Sequence, residues 1–390
     1  MEVITLRYIL KFGGSSLSTT DKIKQVANFI TKMHSRKDLE IVVVVSAMGK
    51  TTTSLQTLAD QISLNNDQYS LASLLAKGEE ISANLLSLAL NALHAKNQIL
   101  TAMDIKIHVK GHPNNAIITS VDTQNIINLL QSGNIVIVPG FQGVDDNGKI
   151  CTLGRGGSDT TATAFGASLD AKVKIYTDVP GFFKFDPNLF LSNAKLTHID
   201  SFSAIELASS GAKVMDQTSL EIGYAHNVPV KVCQSQTNEG TNITTADVTN
   251  LKISGISFKN KLCFVKNCKN REYLLQNYIK DNGKKILFHS LNKINSGFEE
   301  IVISDISLLS MQNCKIQSLT INPCELITIT GSGLFDDVFY NFIGKLKILY
   351  KNSILFINLT PTTIKIATKQ RKALKITKYI NDFCKMENIL

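Results

Sequence analysis

The alternation of apolar and polar positions divides the first two thirds of the chain into short strands and amphipathic helices. The continuous β-branched run at 41–45 is typical of a parallel strand covered on both faces. Apolar Ile23, Val26 and Ile30 recur at helical spacing and predict a helix over about 21–34. Further strands are predicted at 8–12, 135–138, 173–176 and 228–232, and a long Leu- and Ala-rich helix at about 69–96.

Short strands separated by helices predict βαβ units, and therefore an α/β fold with a mainly parallel sheet sandwiched by helices. In such folds, ligands bind outside the carboxyl ends of the strands. Functional residues are therefore expected where the predicted strands end. The pattern holds over residues 1–245, which we predict to form one domain.

The pattern changes near Thr245, where Ile, Asn and Lys become common. Strand-like pieces at 251–265, 285–291 and 299–305 accompany a predicted helix at 271–280. A second set follows, with strands at 325–330, 354–358 and 363–367 and helices at 335–346 and 372–385. Two βαββ-like units predict a pair of small α+β modules, at 246–320 and 321–390.

Composition is that of a globular protein with a substantial core. Of the 390 residues, 44% are hydrophobic and 19% are charged, and no apolar run approaches the roughly 20 residues of a membrane span. No leader is recognisable, and the seven cysteines form no CxxC pair or zinc pattern. These features predict a cytoplasmic protein with reduced thiols. The net charge of +9 is spread along the chain, so neither nucleic acid nor a membrane is expected as a partner.

The first glycine-containing segment, Lys11-Phe12-Gly13-Gly14-Ser15-Ser16, follows the first predicted strand. Adjacent glycines let backbone N–H groups approach an anion, and the lysine supplies positive charge for phosphate. The spacing is not that of a Walker A loop. A tight strand–helix turn without a ligand explains the segment equally well.

The second segment, Leu153-Gly154-Arg155-Gly156-Gly157-Ser158-Asp159-Thr160-Thr161, precedes an Ala-rich helix. Arg155 suits a carboxylate, and the helix N-terminus favours negative charge. Asp159 among these groups indicates a magnesium ion, a substrate ammonium or a lysine partner, although it also suits a helix N-cap. The third segment, Thr177-Asp178-Val179-Pro180-Gly181, ends a predicted strand, and Asp178 there suits ribose or base, or simply a turn.

Taken together, these segments resemble the aspartate kinases of the amino-acid kinase superfamily. GRGGSD at 154–159, joined to the downstream TDVPG at 177–181, is the most specific part of the resemblance. Supporting matches are SAMGKT at 46–51, GE at 78–79, GFQG at 140–143 and GAKV at 211–214. The resemblance covers residues 8–245 closely. It implies the amino-acid kinase fold with its catalytic domain at 1–245, followed by two ACT-like modules, the first of them diverged.

The resemblance implies a role for each matching residue. Lys11 would neutralise charge on the transferring phosphoryl group, and Asp159 would order Lys11, so these two would be the catalytic residues. ATP would be held by Lys11, Phe12, Gly13, Gly14, Thr177, Asp178, Phe183, Asn188, Lys213 and Val214. L-Aspartate would be held by Thr51, Glu79, Arg155, Gly156, Gly157 and Ser158. Arg155 suits the α-carboxylate of aspartate, and Glu79 its ammonium.

The implied reaction moves the γ-phosphoryl group of ATP, with Mg²⁺, to the side-chain carboxylate of L-aspartate. The products are 4-phospho-L-aspartate and ADP, and the step opens the route to lysine, diaminopimelate, threonine and methionine. An aspartate side chain has a pKa near 3.9 and is already ionised at neutral pH, so this chemistry needs no general base. The lack of an evident catalytic histidine agrees with that. Direct ligands of the metal are left unassigned.

Two positions depart from the family's pattern. Phe183 and Asn188 stand where a tyrosine and an arginine are usual, which removes polar contacts to ATP that Lys184 would have to replace. In the C-terminal half, 325–333 resembles the start of the second ACT module, whereas the first module lacks the usual Pro-Gly turn. An amino-acid effector at this region and a homo-oligomer are implied by analogy with the family.

Two other functions are compatible with the residues. A related kinase acting on glutamate or acetylglutamate is disfavoured by GRGGSD and by the two-module tail. A catalytically silent regulatory subunit that senses an amino acid is disfavoured because Lys11, Asp159 and Asp178 are retained. The changes at Phe183 and Asn188 leave this second alternative open.

Overall fold

A computed structural model describes residues 6–387 except 37, 64, 186–194, 213, 236, 238, 246–252, 270–278, 280–285, 295–296, 308–318, 333 and 335–336. The chain forms two compact units. The first comprises residues 1–182, 195–205 and 213–248, and the second comprises residues 183–194, 206–212 and 249–390.

An eight-stranded sheet runs through the first unit. Its strands are β1 Leu6–Phe12, β2 Leu39–Val45, β3 Asn97–Ile99, β6 Ile135–Pro139, β9 Lys172–Thr177, β10 His198–Asp200, β11 Val230–Gln234 and β12 Gly240–Thr244. Their order is β10-β12-β11-β9-β1-β2-β6-β3, and every pairing is parallel except that of β11 with β12. The central strands are β-branched and buried because helices cover both faces.

The helices of the first 248 residues are α1 Thr20–His34, α2 Thr51–Ile62, α3 Gln68–Ala92, α4 Gln124–Gln131, α5 Gly157–Ser168, α6 Ser201–Ser209 and α7 Gln217–Ala225. The apolar stripe of α1 packs with α3 on one face of the sheet, in a core that includes Leu10, Phe12 and Val43. A short 3₁₀ helix, Gly14–Leu17, connects β1 to α1. Since side chains alternate along a strand, Lys11 points away from the face that buries Leu10 and Phe12.

A smaller sheet lies beside the main one in the first unit. It contains β4 His108–His112, β5 Asn115–Ser120, β7 Gln142–Val144 and β8 Ile150–Thr152 in the order β5-β4-β7-β8. Neither this sheet nor α2 is predicted from the apolar pattern. Its strands are too short for a clear alternation, and α2 begins with three threonines, which have low helix propensity.

One six-stranded antiparallel sheet and two helices make up the described part of the second unit after residue 252. The strands are β13 Gly255–Lys269, β14 Ile286–Ile294, β15 Gly297–Ser304, β16 Leu319–Thr330, β17 Ile354–Leu359 and β18 Thr363–Lys369. They run in the order β14-β15-β13-β16-β18-β17. The helices are α8 Asp337–Leu349 and α9 Ala373–Met386, and their apolar faces form one core with β16 and β18. The helix predicted at 271–280 lies almost entirely outside the described residues.

The predicted fold class is confirmed: a mainly parallel sheet between helices precedes an antiparallel α+β unit. Besides the unpredicted small sheet and α2, some elements differ at their ends: the long helix predicted to reach residue 96 ends at Ala92. The division of residues 246–390 into two modules stays a prediction. Among the described helices, none combines the length and the apolar composition that a membrane span requires.

Candidate active site

The ends of three neighbouring strands form the edge at which the site lies. β9, β1 and β2 are adjacent and parallel, so their carboxyl ends share one edge of the sheet. The loops that follow are tied together by backbone bonds: Gly13 N–H donates to Tyr176 O at 3.1 Å, and Ser46 N–H donates to Phe12 O at 3.1 Å. This edge brings together the segments that the sequence singled out.

A cavity of about 260 Å³ opens at this edge. It is lined by Lys11, Gly14, Ser46, Ala47, Gly49, Thr52, Glu79, Phe141, Gly154, Arg155, Gly156, Gly157, Ser158 and Asp159. The lining carries two cationic and two anionic side chains. Such a cavity suits a small zwitterion better than an apolar ligand.

Lys11 and Asp159 form an ion pair inside the cavity. Lys11 Nζ lies 2.5 Å from Asp159 Oδ1, and the two residues are only 8% and 9% exposed. Water is largely excluded from both side chains, so each charge is compensated by the other. A single buried charge would lack this compensation. The pair gives Asp159 a lysine partner, one of the roles that its sequence context allowed. A Cβ placed on Gly13 would lie 3.6 Å from Lys11 Nζ, so this ammonium sits directly beside the glycine loop.

The start of α5 places the second segment. Gly156 caps the helix with φ of 75°, a left-handed conformation that favours glycine. A Cβ there would also collide with the side chain of Asp216. Ser158 and Asp159 fall in the first buried turn of α5, and Arg155 stays exposed at the mouth of the cavity. Among the described residues, no carboxylate forms an ion pair with Arg155, so its guanidinium can bind an external anion.

Glu79 brings a buried carboxylate from the middle of α3. The preceding Gly78 allows Ala47 to approach α3 closely, because a Cβ on Gly78 would lie 2.8 Å from the Ala47 Cβ. Ala47 N–H donates to Glu79 Oε1 at 3.0 Å, and Oε2 has no partner among the described residues. Burial raises the pKa of Glu79 to about 7, although the Ala47 N–H and the charge of Lys11 oppose the shift. The group is thus half ionised near neutral pH and has one oxygen left to bind a ligand.

Six lining residues were given no role from the sequence. Thr52 lies outside the quoted motifs, and the others lie within them: Ser46, Ala47, Gly49, Phe141 and Gly154. Phe141 holds a positive φ of 70°, and its N–H donates to Thr161 Oγ1 at 3.1 Å, so a strained backbone turn borders the cavity. Ser46 follows β2 directly and Thr52 lies in the first turn of α2. Thr51, which the resemblance assigned to aspartate, is not among the lining residues, and its hydroxyl donates to Met48 O at 2.7 Å. Helix geometry decides which of two adjacent threonines faces the site, and sequence alone does not show it.

Of the residues predicted to hold ATP, Lys11 and Gly14 line the cavity, and others lie at or directly after the ends of β1 and β9. Thr177 ends β9, and its hydroxyl donates to the exposed carboxylate of Asp178 at 3.1 Å. The Phe12 side chain is buried in the core and stacks on Tyr176, so only its backbone is available at the edge. Val214 is half-buried in the first unit, and Phe183 is half-buried in the second. Lys213 and Asn188 lie outside the described residues.

Comparison with known proteins agrees with this geometry. A sequence model of the Amino acid kinase family matches residues 7–234. The aspartokinase of Rickettsia felis is 34% identical over 393 residues, covering 96% of this chain and 95% of that protein. The chain belongs to the aspartokinases of the amino acid kinase family. This confirms the family predicted from the glycine-containing motifs.

Other aspartokinases match over part or all of the chain. The aspartokinase of Geobacillus stearothermophilus is 40% identical over 258 residues, which cover 65% of this chain and 63% of that protein. The chain thus matches somewhat less than two thirds of that relative's length. E. coli aspartokinase III, solved in complex with aspartate and ADP, superposes with a TM-score of 0.79 at 17% identity over 95% of this chain and 97% of that one. At that identity the likeness shows the fold.

Proposed function

We propose that the chain is an aspartate kinase that transfers the γ-phosphoryl group of ATP to the side-chain carboxylate of L-aspartate, giving 4-phospho-L-aspartate and ADP. The observation that carries the proposal is the convergence of the Lys11–Asp159 ion pair, Glu79 and Arg155 on one small cavity. The two acidic and two basic groups of the cavity complement a substrate that carries one ammonium and two carboxylates. They also complement the anionic phosphate that reacts with this substrate.

Aspartate binding follows from the charges at the cavity wall. The exposed Arg155 guanidinium suits the α-carboxylate, because its planar fork matches two oxygens. The free oxygen of Glu79 suits the substrate ammonium. The side-chain carboxylate would then point towards Lys11. Thr51 and the backbone of Gly156, Gly157 and Ser158 complete the proposed aspartate site, with Thr52 as the threonine that lines the cavity.

ATP would approach from the glycine loop and the end of β9. We assign it to Lys11, Phe12, Gly13, Gly14, Thr177, Asp178, Phe183, Asn188, Lys213 and Val214. Gly14 leaves no room for a side chain, since its Cβ would lie 2.6 Å from Ala47 O. A backbone N–H in that narrow place can reach a phosphate oxygen, and Lys11 beside it neutralises developing charge.

The reaction then needs positioning rather than proton removal. The substrate carboxylate is ionised at neutral pH and can attack phosphorus directly. Lys11 stabilises charge on the transferring group, while Asp159 holds the lysine in place. Arg155 and Glu79 fix the aspartate so that its carboxylate lies in line with the bond that breaks.

Magnesium would enter with the nucleotide as MgATP. Among the described residues there is no cluster of three His, Cys, Asp or Glu side chains that could cage a metal. This fits Mg²⁺, which is usually held by substrate phosphates, water and one or two carboxylates. Asp159, which pairs with Lys11 beside the glycine loop, is a carboxylate that could take such a part, and bound Mg²⁺ would neutralise phosphate charge.

The second unit is proposed to act in assembly and control. We assign residues 246–320 and 321–390 to two ACT-like modules, with an amino-acid effector and a homo-oligomer as their partners. A cytoplasmic location and the absence of nucleic-acid or membrane partners stay expectations from composition.

A hydroxamate assay for acyl phosphate tests the proposed reaction. Purified chain with MgATP should give hydroxamate with L-aspartate and little or none with glutamate or acetylglutamate. Higher turnover with either of those would instead support a related kinase. No product with any of the three would support the silent regulatory subunit.

A further inference from the structure

Two serines that are far apart in the sequence meet above the end of β9. Ser16 lies in the 3₁₀ helix after the glycine loop and is only 3% exposed. Ser235 follows β11 directly. Their hydroxyl oxygens lie 2.5 Å apart. Since β11 and β1 flank β9 in the sheet, this bond spans from one neighbour of β9 to the other.

Ser235 is also bound to the strand that it crosses. Its N–H donates to Thr177 O at 3.0 Å, and its hydroxyl donates to the same oxygen at 3.1 Å. A serine hydroxyl has one hydrogen, so Ser235 Oγ must accept from Ser16. The direction of the chain is therefore fixed: Ser16 donates to Ser235, and Ser235 donates to Thr177 O.

This chain of bonds ties the glycine loop to the end of β9. Before Gly14, the Gly13 N–H donates to Tyr176 O at 3.1 Å. After Gly14, the Ser16 hydroxyl is tied through Ser235 to Thr177. Gly14, which lines the cavity, is thus fixed from both sides against the end of β9. Neither serine lines the cavity that holds Arg155 and Glu79.

We propose that Ser235 is a positioning residue for the nucleotide. It sets the spacing between the glycine loop and Thr177, the two segments that we assign to ATP, and it does so through Ser16 without touching substrate. This inference rests on the proposed function for the placement of ATP. A purely structural bond would instead change thermal stability and leave nucleotide affinity unaltered.

Binding of MgADP, measured by isothermal titration calorimetry without aspartate, tests this role. Ser16→Ala removes the bond between the serines, and Ser235→Ala removes that bond and the hydroxyl bond to Thr177 O, so each should weaken MgADP binding by about tenfold or more. The double variant should be no weaker than Ser235→Ala, because that change already breaks the link from Ser16 to Thr177. Ser235→Thr keeps the hydroxyl and should bind as the unaltered chain does.

Thr237→Ala is the matched control. Thr237 lies in the same loop, and its hydroxyl donates to Gln234 O at 3.1 Å without reaching Ser16 or Thr177. Its removal should leave MgADP affinity unchanged. Melting temperatures of all variants show that they are folded.

The steady-state constants add a second readout. In the Ser235→Ala enzyme the KM for ATP should rise, and the KM for aspartate should stay within about twofold. Unchanged MgADP affinity, equal rises in both KM values, or strictly additive losses in the double variant would each overturn the proposal. A chain that binds MgADP with this serine dependence but forms no hydroxamate would overturn the proposed function alone.

Discussion

At the scale of single residues, the buried carboxylate of Glu79 affects stability and ligand binding in opposite directions. Its folded-state pKa of about 7 lies above the ordinary value of 4.5, because burial disfavours the ionised form. The protonated form is therefore favoured in the folded chain. The contribution of this group to stability is full below about pH 4.5 and is lost as the pH rises through 7. The charge needed for a substrate ammonium is thus kept at a cost in stability.

Glu79→Gln should therefore stabilise the unliganded protein at pH 8 and leave it unchanged near pH 4.5. A difference of one in pKa corresponds to about 1.4 kcal/mol, so the gain amounts to at most a few kcal/mol. The same variant should raise the KM for aspartate about ten- to a hundredfold, because a charged partner of the ammonium is lost. Thermal unfolding at several pH values and initial-rate kinetics check both. Equal melting temperatures at pH 8, with intact secondary structure, would contradict the pKa argument.

Lys11→Ala addresses the centre of the proposed mechanism. We expect turnover to fall about 10²- to 10³-fold, since one group that stabilises transition-state charge is removed. Lys24→Ala, at an exposed position of α1, is the control and should keep full activity. Because Asp159 is left buried without its partner, a modest loss of thermal stability should accompany the change. Near-normal turnover in the folded variant would remove Lys11 from catalysis.

At the scale of elements, the end of α6 is bound to the antiparallel sheet of the second unit. Glu206 Oε2 lies 3.0 Å from Lys365 Nζ of β18, and both side chains are largely buried. One turn later, Thr328 of β16 donates to Ser210 Oγ at 2.8 Å, with both residues buried. The helix end thus supplies partners to polar side chains of the sheet, and Lys365 Nζ also donates to Leu287 O at 3.4 Å.

Lys365→Met should lower the stability of the second unit by about 1–3 kcal/mol, because it leaves the Glu206 carboxylate without its cation. The double variant Glu206→Gln, Lys365→Met should recover part of the loss, since no unpaired charge remains. Lys369→Met, at an exposed position of the same strand, is the control. Chemical denaturation followed by circular dichroism gives the free energies of unfolding. A double variant less stable than Lys365→Met would refute the charge argument.

At the scale of the whole molecule, the strands of both predicted ACT-like modules share one sheet. β13 and β16, the first strands of the two modules, pair at its centre, and the remaining strands follow outward in the same order on each side. Joining two such modules edge to edge removes two open strand edges. The pairing of β13 with β16 thus leaves neither of these strands with an open edge.

Lysine or threonine alone should inhibit weakly or not at all. The first module lacks the Pro-Gly turn that usually opens the helix beside the effector pocket, and inhibition requires an effector that binds the inactive state more tightly. Kinase activity is titrated with each amino acid singly and with both together, against potassium chloride at equal ionic strength. Half-inhibition at sub-millimolar concentration of either one would show an intact pocket.

The sequence alone determined the class of fold and the segments that meet at the site. Buried parallel strands such as 41–45 are evident because their β-branched runs are local. GRGGSD and TDVPG indicate the family because backbone approach to anions demands glycine at fixed neighbouring positions. The α2 helix and the small sheet were not predicted, because threonine-rich and very short segments show little hydrophobic periodicity.

Only the tertiary structure decided how these segments act on one another. The pairing of Lys11 with Asp159, the selection of Thr52 rather than Thr51 and the bond between Ser16 and Ser235 each join or orient residues from separate elements. The raised pKa of Glu79 follows from burial beneath Ala47, which no local pattern reveals. Propensities and motifs act along the chain, so the sequence identifies the segments. Distances between side chains and their desolvation arise from the packing of the whole first unit, so only the folded structure determines the chemistry of these segments.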